Sequence, residues 1–276
     1  MASPKPSSKP AARAKPQAQP RLGIQSVEVA AVILDALAEA PAELALKDLA
    51  AAAGMHPGKV HRYLVSLVRT GLVAQNKATS RYGIGPLALK LGLAALRDLE
   101  VIRCCAEDLA MLRDAINETV VLSVWGNLGP TVVWIEESGQ AVRMNLRIGT
   151  VLPVMGTAIG RVFAAHLALP AVKKVVALQR GRIEGAERFT KFGSAEVDAI
   201  LDDVRARGLS RIDATLVPGV AALAAPIRDY QGSVAAVLAA IGRSQEFDLR
   251  WSGPVSQALK DMAASISRRL GYTPSR

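Results

Sequence analysis

The stretch from residue 23 to 85 constrains this chain most, because three helical periods and two short apolar segments follow one another with only tight turns between them. Val29, Ile33, Leu34 and Leu37 recur at helical spacing. Ser26 is positioned to cap that helix, and Glu28 sits near its positive end. A second helix is predicted from Leu46 to Ala53, with Leu46, Leu49, Ala50 and Ala53 on one face. Gly54 then supplies a residue free to adopt positive φ. The third helix opens at Pro57, where proline loses no needed hydrogen bond, and runs to Thr70 before Gly71. Its apolar face is Val60, Leu64, Leu67 and Val68. Leu72–Ala74 and 81–85, around the polar turn 75–80, read as a hairpin.

Helix, helix, turn, helix, hairpin is the order of a winged helix-turn-helix. Such a domain needs a third helix that offers donors and positive charge outward. The outward residues here are Pro57, Gly58, Lys59, His61, Arg62, Ser66 and Arg69, none of them acidic. Arg81 adds a cation in the hairpin. Residues 1–85 hold eleven basic and five acidic residues, a net +6 of the chain's +10. That placement suits phosphate contact and base reading on double-stranded operator DNA. The competing reading is a three-helix protein-interaction domain with a solvated basic face.

Residues 1–22 carry five prolines and five basic residues with no acidic ones, which predicts a disordered basic tail. No apolar run approaches a membrane span, and the amino terminus has no signal-peptide core, so a cytoplasmic protein is expected with no membrane partner. Cys104 and Cys105 are adjacent, which suits neither a disulfide nor a metal site. No metal and no cofactor are expected. His56 and His61 lie at the third helix, and His166 has no nucleophile or metal partner at ligand spacing. No P-loop or dinucleotide fingerprint occurs, so an enzyme is the weakest reading.

Pro86 to Arg103 reads as a linker helix with Leu89, Leu93, Leu96 and Leu99 along one face. Pairing with a second copy and packing onto the next domain both fit. Residues 104–276 read as the second domain. A helix to Ile116 is followed by strands at Thr119–Trp125, Thr131–Glu136 and Val142–Ile148. A helix follows near 158–165, then a charged helical stretch from Leu169 to Arg207. Strands return at Val220–Pro226 and Gly232–Ile241, and a last helix covers Pro254–Leu270. The fold class expected is α+β: an antiparallel sheet flanked by helices, of the GAF sensor type.

With these residues in view, the chain resembles IclR-family transcriptional regulators from about Gly23 to Gly271. The motifs are Ser26-Val27-Glu28, Leu49-Ala50, Val60-His61-Arg62, Gly71-Leu72-Val73 and Tyr82-Gly83-Ile84-Gly85, then Leu152-Pro153, Thr157-Ala158, Gly160-Arg161, Pro218-Gly219-Val220 and Ala224-Ala225-Pro226. The resemblance implies dimers, often paired into tetramers, whose DNA affinity responds to a small organic acid. Two departures stand out. The third helix opens with Pro57-Gly58-Lys59 where the family usually has a Lys-Ser-Thr-like sequence, which implies a different base preference. Relatives that bind small oxo-acids often carry a cysteine and two serines where this chain has Ala222, Ala239 and Ile241. Asp213 is a candidate for a retained acidic position.

The backbone N–H groups at Thr157 to Gly160 form a helix amino terminus able to hold a carboxylate. The expected effector site comprises Met155, Gly156, Thr157, Ala158 and Gly160, with Asp213, Ala222, Leu223, Ala239 and Ile241, and with Trp125 and Trp134 as aromatic walls. Arg143 and Arg147 are candidates for a second anchor. Apolar walls with one anionic anchor favour an aromatic carboxylate over a two- or three-carbon oxo-acid. The competing reading of Trp125, Trp134 and Met155 is ordinary core. A ligand-sensing module that acts through protein contacts, without DNA, is the remaining alternative.

Overall fold

The computed structural model describes residues 23–98, 100–139, 146–183 and 194–273. The tail predicted over 1–22 lies outside them, as do Arg143 and most of the strand predicted from Val142. The chain divides into two compact units, residues 1–93 and 94–276.

In the first unit, α1 spans Gln25–Glu39, α2 Leu46–Ala52 and α3 Pro57–Thr70. The antiparallel hairpin is β1 (Val73–Gln75) and β2 (Tyr82–Ile84). Ile33, Leu37, Leu49, Val60, Leu64, Leu67, Val73 and Tyr82 form the core. Ser26 does not cap α1. The helix starts earlier, because the amides of Val27 and Glu28 both reach the Ile24 carbonyl, and Ser26 lies inside the first turn. His56 caps α3, its Nδ1 accepting from the Gly58 amide at 3.2 Å. Gly71 ends α3 at φ +80°, a conformation costly for a residue with a Cβ. Leu44 exchanges two backbone hydrogen bonds with Tyr82, at 2.9 and 2.8 Å, which fixes the wing to the α1–α2 loop.

Helix α4 (Pro86–Asp98) crosses the division between the units, and α5 runs Glu100–Ile116. The linker boundary expected after Arg103 therefore falls inside α5. Val101, Cys105, Leu109 and Leu112 form one buried stripe that carries the helix straight through it.

The second unit holds β3 (Thr119–Gly126), β4 (Gly129–Glu136), α6 (Ala158–His166), α7 (Leu169–Gln179) and α8 (Ala195–Arg207). It continues with β5 (Ser210–Asp213), β6 (Val220–Arg228), β7 (Val234–Arg243) and α9 (Pro254–Arg269). The strands make one antiparallel sheet in the order β4-β3-β7-β6-β5. Helices α6, α7 and α8 cover one face, through residues such as Phe163, Val172 and Leu201. Helices α5 and α9 cover the other, through Leu109, Leu259 and Ile266. Strands β6 and β7 are therefore buried on both faces, which is why they read as unbroken apolar runs. Strand β5 escaped the sequence reading because it is only four residues long. Among the described residues no helix is long and apolar enough to cross a membrane. Cys105 is buried, and burial pushes its thiol up to about 12, so it behaves as a small apolar core residue.

One buried acid gives a pH test of this packing. Glu118 precedes β3, is 7% exposed, and its Oε2 has no hydrogen-bond partner among the described residues. Burial, with Glu246 nearby, pushes its carboxyl up to about 7. The folded state thus holds this proton more tightly than the unfolded chain does. Stability is expected to fall as pH rises from about 4.5 through 7, and the loss is complete above that range. Glu118→Gln should remove this decline, by an amount on the order of 2–3 kcal/mol between pH 5 and pH 9. Urea denaturation of both proteins across that range checks it; parallel curves would remove Glu118 from the pH response.

Candidate functional site

Two regions carry chemistry. The first is the outer face of α3. Pro57, Gly58, Lys59, His61, Arg62, Ser66 and Arg69 are all exposed, while Val60, Leu64 and Leu67 face the core. Residues 23–85 hold six basic and five acidic side chains, so this stretch is close to neutral and its cations matter by position. Helix α3 has Lys59, Arg62 and Arg69 and no acid. Arg81 is exposed, but its Nη1 donates to the Glu43 carbonyl at 3.1 Å, so part of this guanidinium braces the wing. Lys77 is exposed in the wing turn, where Asn76 Oδ1 accepts from the amides of Ala78 and Thr79. The sequence reading passed over Lys77; a lone cation in a hairpin turn was the available signal.

The second region is a cavity of about 60 Å³ at the amino end of α6. Leu146, Leu152, Ile159, Ile212, Leu216, Val217, Val220, Ala222 and Ile241 give it apolar walls, with Thr157 and Ala158 at one end. Thr157 caps α6: its Oγ1 accepts from the Gly160 amide at 3.0 Å and donates to the Pro153 carbonyl at 2.8 Å. The hydroxyl is therefore committed. The amides of Ala158 and Ile159 belong to the first turn, where no intrahelical acceptor exists, so they are the donors this end can present. Among the described residues no charged side chain lines the cavity. Arg161, half-buried, braces the loop by donating from Nε to the Met155 carbonyl at 3.0 Å.

Gly160 makes this arrangement possible. A Cβ there would stand far inside van der Waals distance of the Val154 carbonyl oxygen, so only glycine lets α6 lie so close to the 151–155 segment. Buried Gln179 holds the same segment from α7. Its Oε1 accepts from the Val154 amide at 3.1 Å, and its Nε2 donates to the carbonyls of Leu128 and Leu152 at 2.8 and 3.0 Å.

The structure brings some of the expected effector residues together and separates others. Thr157, Ala158, Ala222 and Ile241 line the cavity. Met155, Gly156 and Gly160 are buried in the supporting loop and helix, and Ala239 is buried on the same sheet face, but none of the four lines it. Trp125 also lies on that face, 5.4 Å from the Phe163 ring, where it serves the core. Leu223 faces the other layer, since neighbouring strand residues point to opposite faces and Ala222 has taken this one. Trp134 faces the other layer too. Simple alternation would put it beside Val132, but Leu122 pairs with Trp134 and Ser123 with Val132, leaving Val133 as an extra residue. That bulge turns Trp134 over, and its Nε1 donates to Glu136 at 2.8 Å. Asp213 is exposed at the end of β5; Ile212, not the acid, points into the cavity. Arg147 is exposed and outside the lining, and Arg143 lies outside the described residues. The sequence reading missed Leu146, Leu152, Ile159, Leu216, Val217 and Val220, whose apolar character does not separate them from core.

Comparisons agree with this architecture. Residues 26–77 match the IclR helix-turn-helix domain, and residues 93–268 match the bacterial transcriptional regulator IclR C-terminal domain. The glycerol operon regulatory protein of Streptomyces coelicolor is 33% identical over 90% of this chain and 97% of its own length. The crystal structure of Pseudomonas aeruginosa HmgR shares 40% identity, with a TM-score of 0.57, over 91% of this chain and 100% of that one. An IclR homologue from Microbacterium hydrocarbonoxydans, solved complexed with 4-hydroxybenzoate, has the same fold at 18% identity, with a TM-score of 0.74, over 89% of this chain and 98% of that one. Its fold, its two matched domains and its relatives together establish that this chain is a transcriptional regulator of the IclR family.

Proposed function

We propose that the protein binds operator DNA as a dimer or tetramer through α3 and the wing, and that an aromatic carboxylate in the α6 cavity alters this binding to control a catabolic operon in the cytoplasm. The observation that carries the effector assignment is the lining itself: nine apolar side chains around one helix amino terminus. The free amides of α6 favour a carboxylate, and the walls favour an apolar body. A small oxo-acid would leave its keto oxygen facing aliphatic side chains without a donor. The GAF-like sheet architecture fits a sensor, and a protein of this fold has been solved with 4-hydroxybenzoate. A polyol, which the Streptomyces coelicolor relative's name would suggest, finds the committed Thr157 hydroxyl as the one polar side chain among the described lining residues. At about 60 Å³ the cavity is tighter than a benzoate ring requires, so binding moves Leu216 and Val217, which lie half-exposed between β5 and β6. Leu89 and Leu93, 61% and 57% exposed on α4, support pairing of this helix with a second copy and transmission through it.

Calorimetry against benzoate, 4-hydroxybenzoate, glyoxylate and pyruvate tests the effector class. Saturable heats are expected for the two aromatic acids only. Binding of glyoxylate or pyruvate with no response to the aromatics would overturn the assignment.

A further inference from the structure

A second cavity, of about 230 Å³, lies where the end of α8 meets β6 and α9. Arg207, Arg228, Lys260 and Arg268 all line it, with Ser267 and Tyr272, and among the described residues no carboxylate does. Four cations converging on one concave surface repel one another unless a counter-charge is supplied. Of the four, Arg207 alone has a carboxylate partner among the described residues, with Nε 2.6 Å from Asp203 Oδ1. Three acids of the adjoining segments bond to other groups and not to Arg228, Lys260 or Arg268. Asp202 pairs with Arg205, Asp229 accepts from the amides of Gln231 and Ser233, and Asp261 accepts from Gln257.

Arg228 is held in place by uncharged groups. Its Nη1 donates to the Gly232 carbonyl at 2.9 Å, its Nη2 stands 3.4 Å from His166 Nε2, and its guanidinium lies 5.9 Å from the Tyr272 ring centroid. Burial, together with Arg228 and Arg205, pushes His166 down to about 4, so the imidazole is neutral near pH 7. The guanidinium is thus oriented and half-buried before any anion arrives.

We propose that this cavity is a second ligand site, which takes a compact phosphorylated metabolite with its phosphoryl oxygens on Arg228, Lys260 and Arg268. A phosphate monoester carries close to two negative charges on three acceptor oxygens, which answers three unpaired cations where a single carboxylate answers one. Ala225, Pro226 and Ala263 provide an apolar floor for the body of the ligand. The site is separate from the α6 cavity, although β6 borders both, with Ala222 at one and Ala225 at the other.

Calorimetry of the full chain with glycerol 3-phosphate, inorganic phosphate, citrate and glycerol tests this. Glycerol 3-phosphate is expected to bind saturably and more weakly as salt rises, ahead of the other three. Lys260→Ala combined with Arg268→Ala should reduce its affinity at least tenfold, with a thermal midpoint matching the parent; Lys260→Glu alone serves if the pair is unstable. Arg228 is left intact because it also holds the Gly232 turn. No saturable binding of glycerol 3-phosphate, or undiminished affinity in the folded variants, would overturn the proposal. Equal binding of inorganic phosphate would replace the metabolite with the free ion, and equal binding of citrate would remove the preference for a phosphoryl group; either overturns the assignment as stated.

Discussion

Gly160→Ala is expected to destroy the α6 cavity and destabilise the second unit by at least about 3 kcal/mol. The added methyl would overlap the Val154 carbonyl oxygen and sit 2.5 Å from its carbon and 2.6 Å from the Val154 Cα. These are backbone atoms, so no rotamer change relieves the overlap. The 151–155 segment cannot retreat either, because Gln179 fixes it at both Val154 and Leu152. The alternative is for α6 to lift, which breaks the Thr157 cap and turns the Ala158 and Ile159 amides away from the cavity. Thermal unfolding and calorimetry with 4-hydroxybenzoate should therefore fail together. A variant with an unchanged thermal midpoint would show that α6 does not need this close approach.

Replacing both Lys59 and Arg62 by alanine should abolish specific DNA binding while leaving the fold intact. Both side chains are exposed on α3, and neither has an ion-pair partner among the described residues. A side chain that reads a base edge contributes about 1–3 kcal/mol, and removing one that grips a phosphate also reduces the salt dependence of binding. Two together should weaken operator binding by on the order of a hundredfold or more. Arg81→Ala should cost less on DNA and more in wing order, because its guanidinium also holds the Glu43 carbonyl. Fluorescence anisotropy at several salt concentrations separates these contributions. Unchanged affinity in the double variant would move the interface off α3.

The first unit was legible because local signals and tertiary packing agree there. Pro57 and Gly71 mark the ends of α3, and the Val60, Leu64 and Leu67 stripe fixes which face turns outward. The start of α1 was misread because serine is a familiar capping residue, yet the Val27 and Glu28 amides reach the Ile24 carbonyl and leave Ser26 inside the first turn. The sheet was harder to read. Ala222, Leu223 and Ala224 look alike in sequence, and only strand pairing decides that Ala222 faces one layer and Leu223 the other. The Val133 bulge inverted Trp134 through register, a property that no window of residues displays. The α6 amino terminus was legible because Thr157 and Gly160 have defined local roles. The remaining walls were not, since Leu152, Ile212 and Val220 differ from core only in what stands opposite them.

The proposed switch joins two sites in one chain: an aromatic carboxylate at α6 changes the DNA affinity of α3. The most direct measurement is anisotropy of a labelled duplex from upstream of the protein's own gene, titrated with the full chain with and without saturating 4-hydroxybenzoate. A shift in Kd of about fivefold or more, in either direction, is expected with the acid and not with glyoxylate. Tight, salt-dependent DNA binding with the same Kd in the presence and absence of the acid would contradict the account.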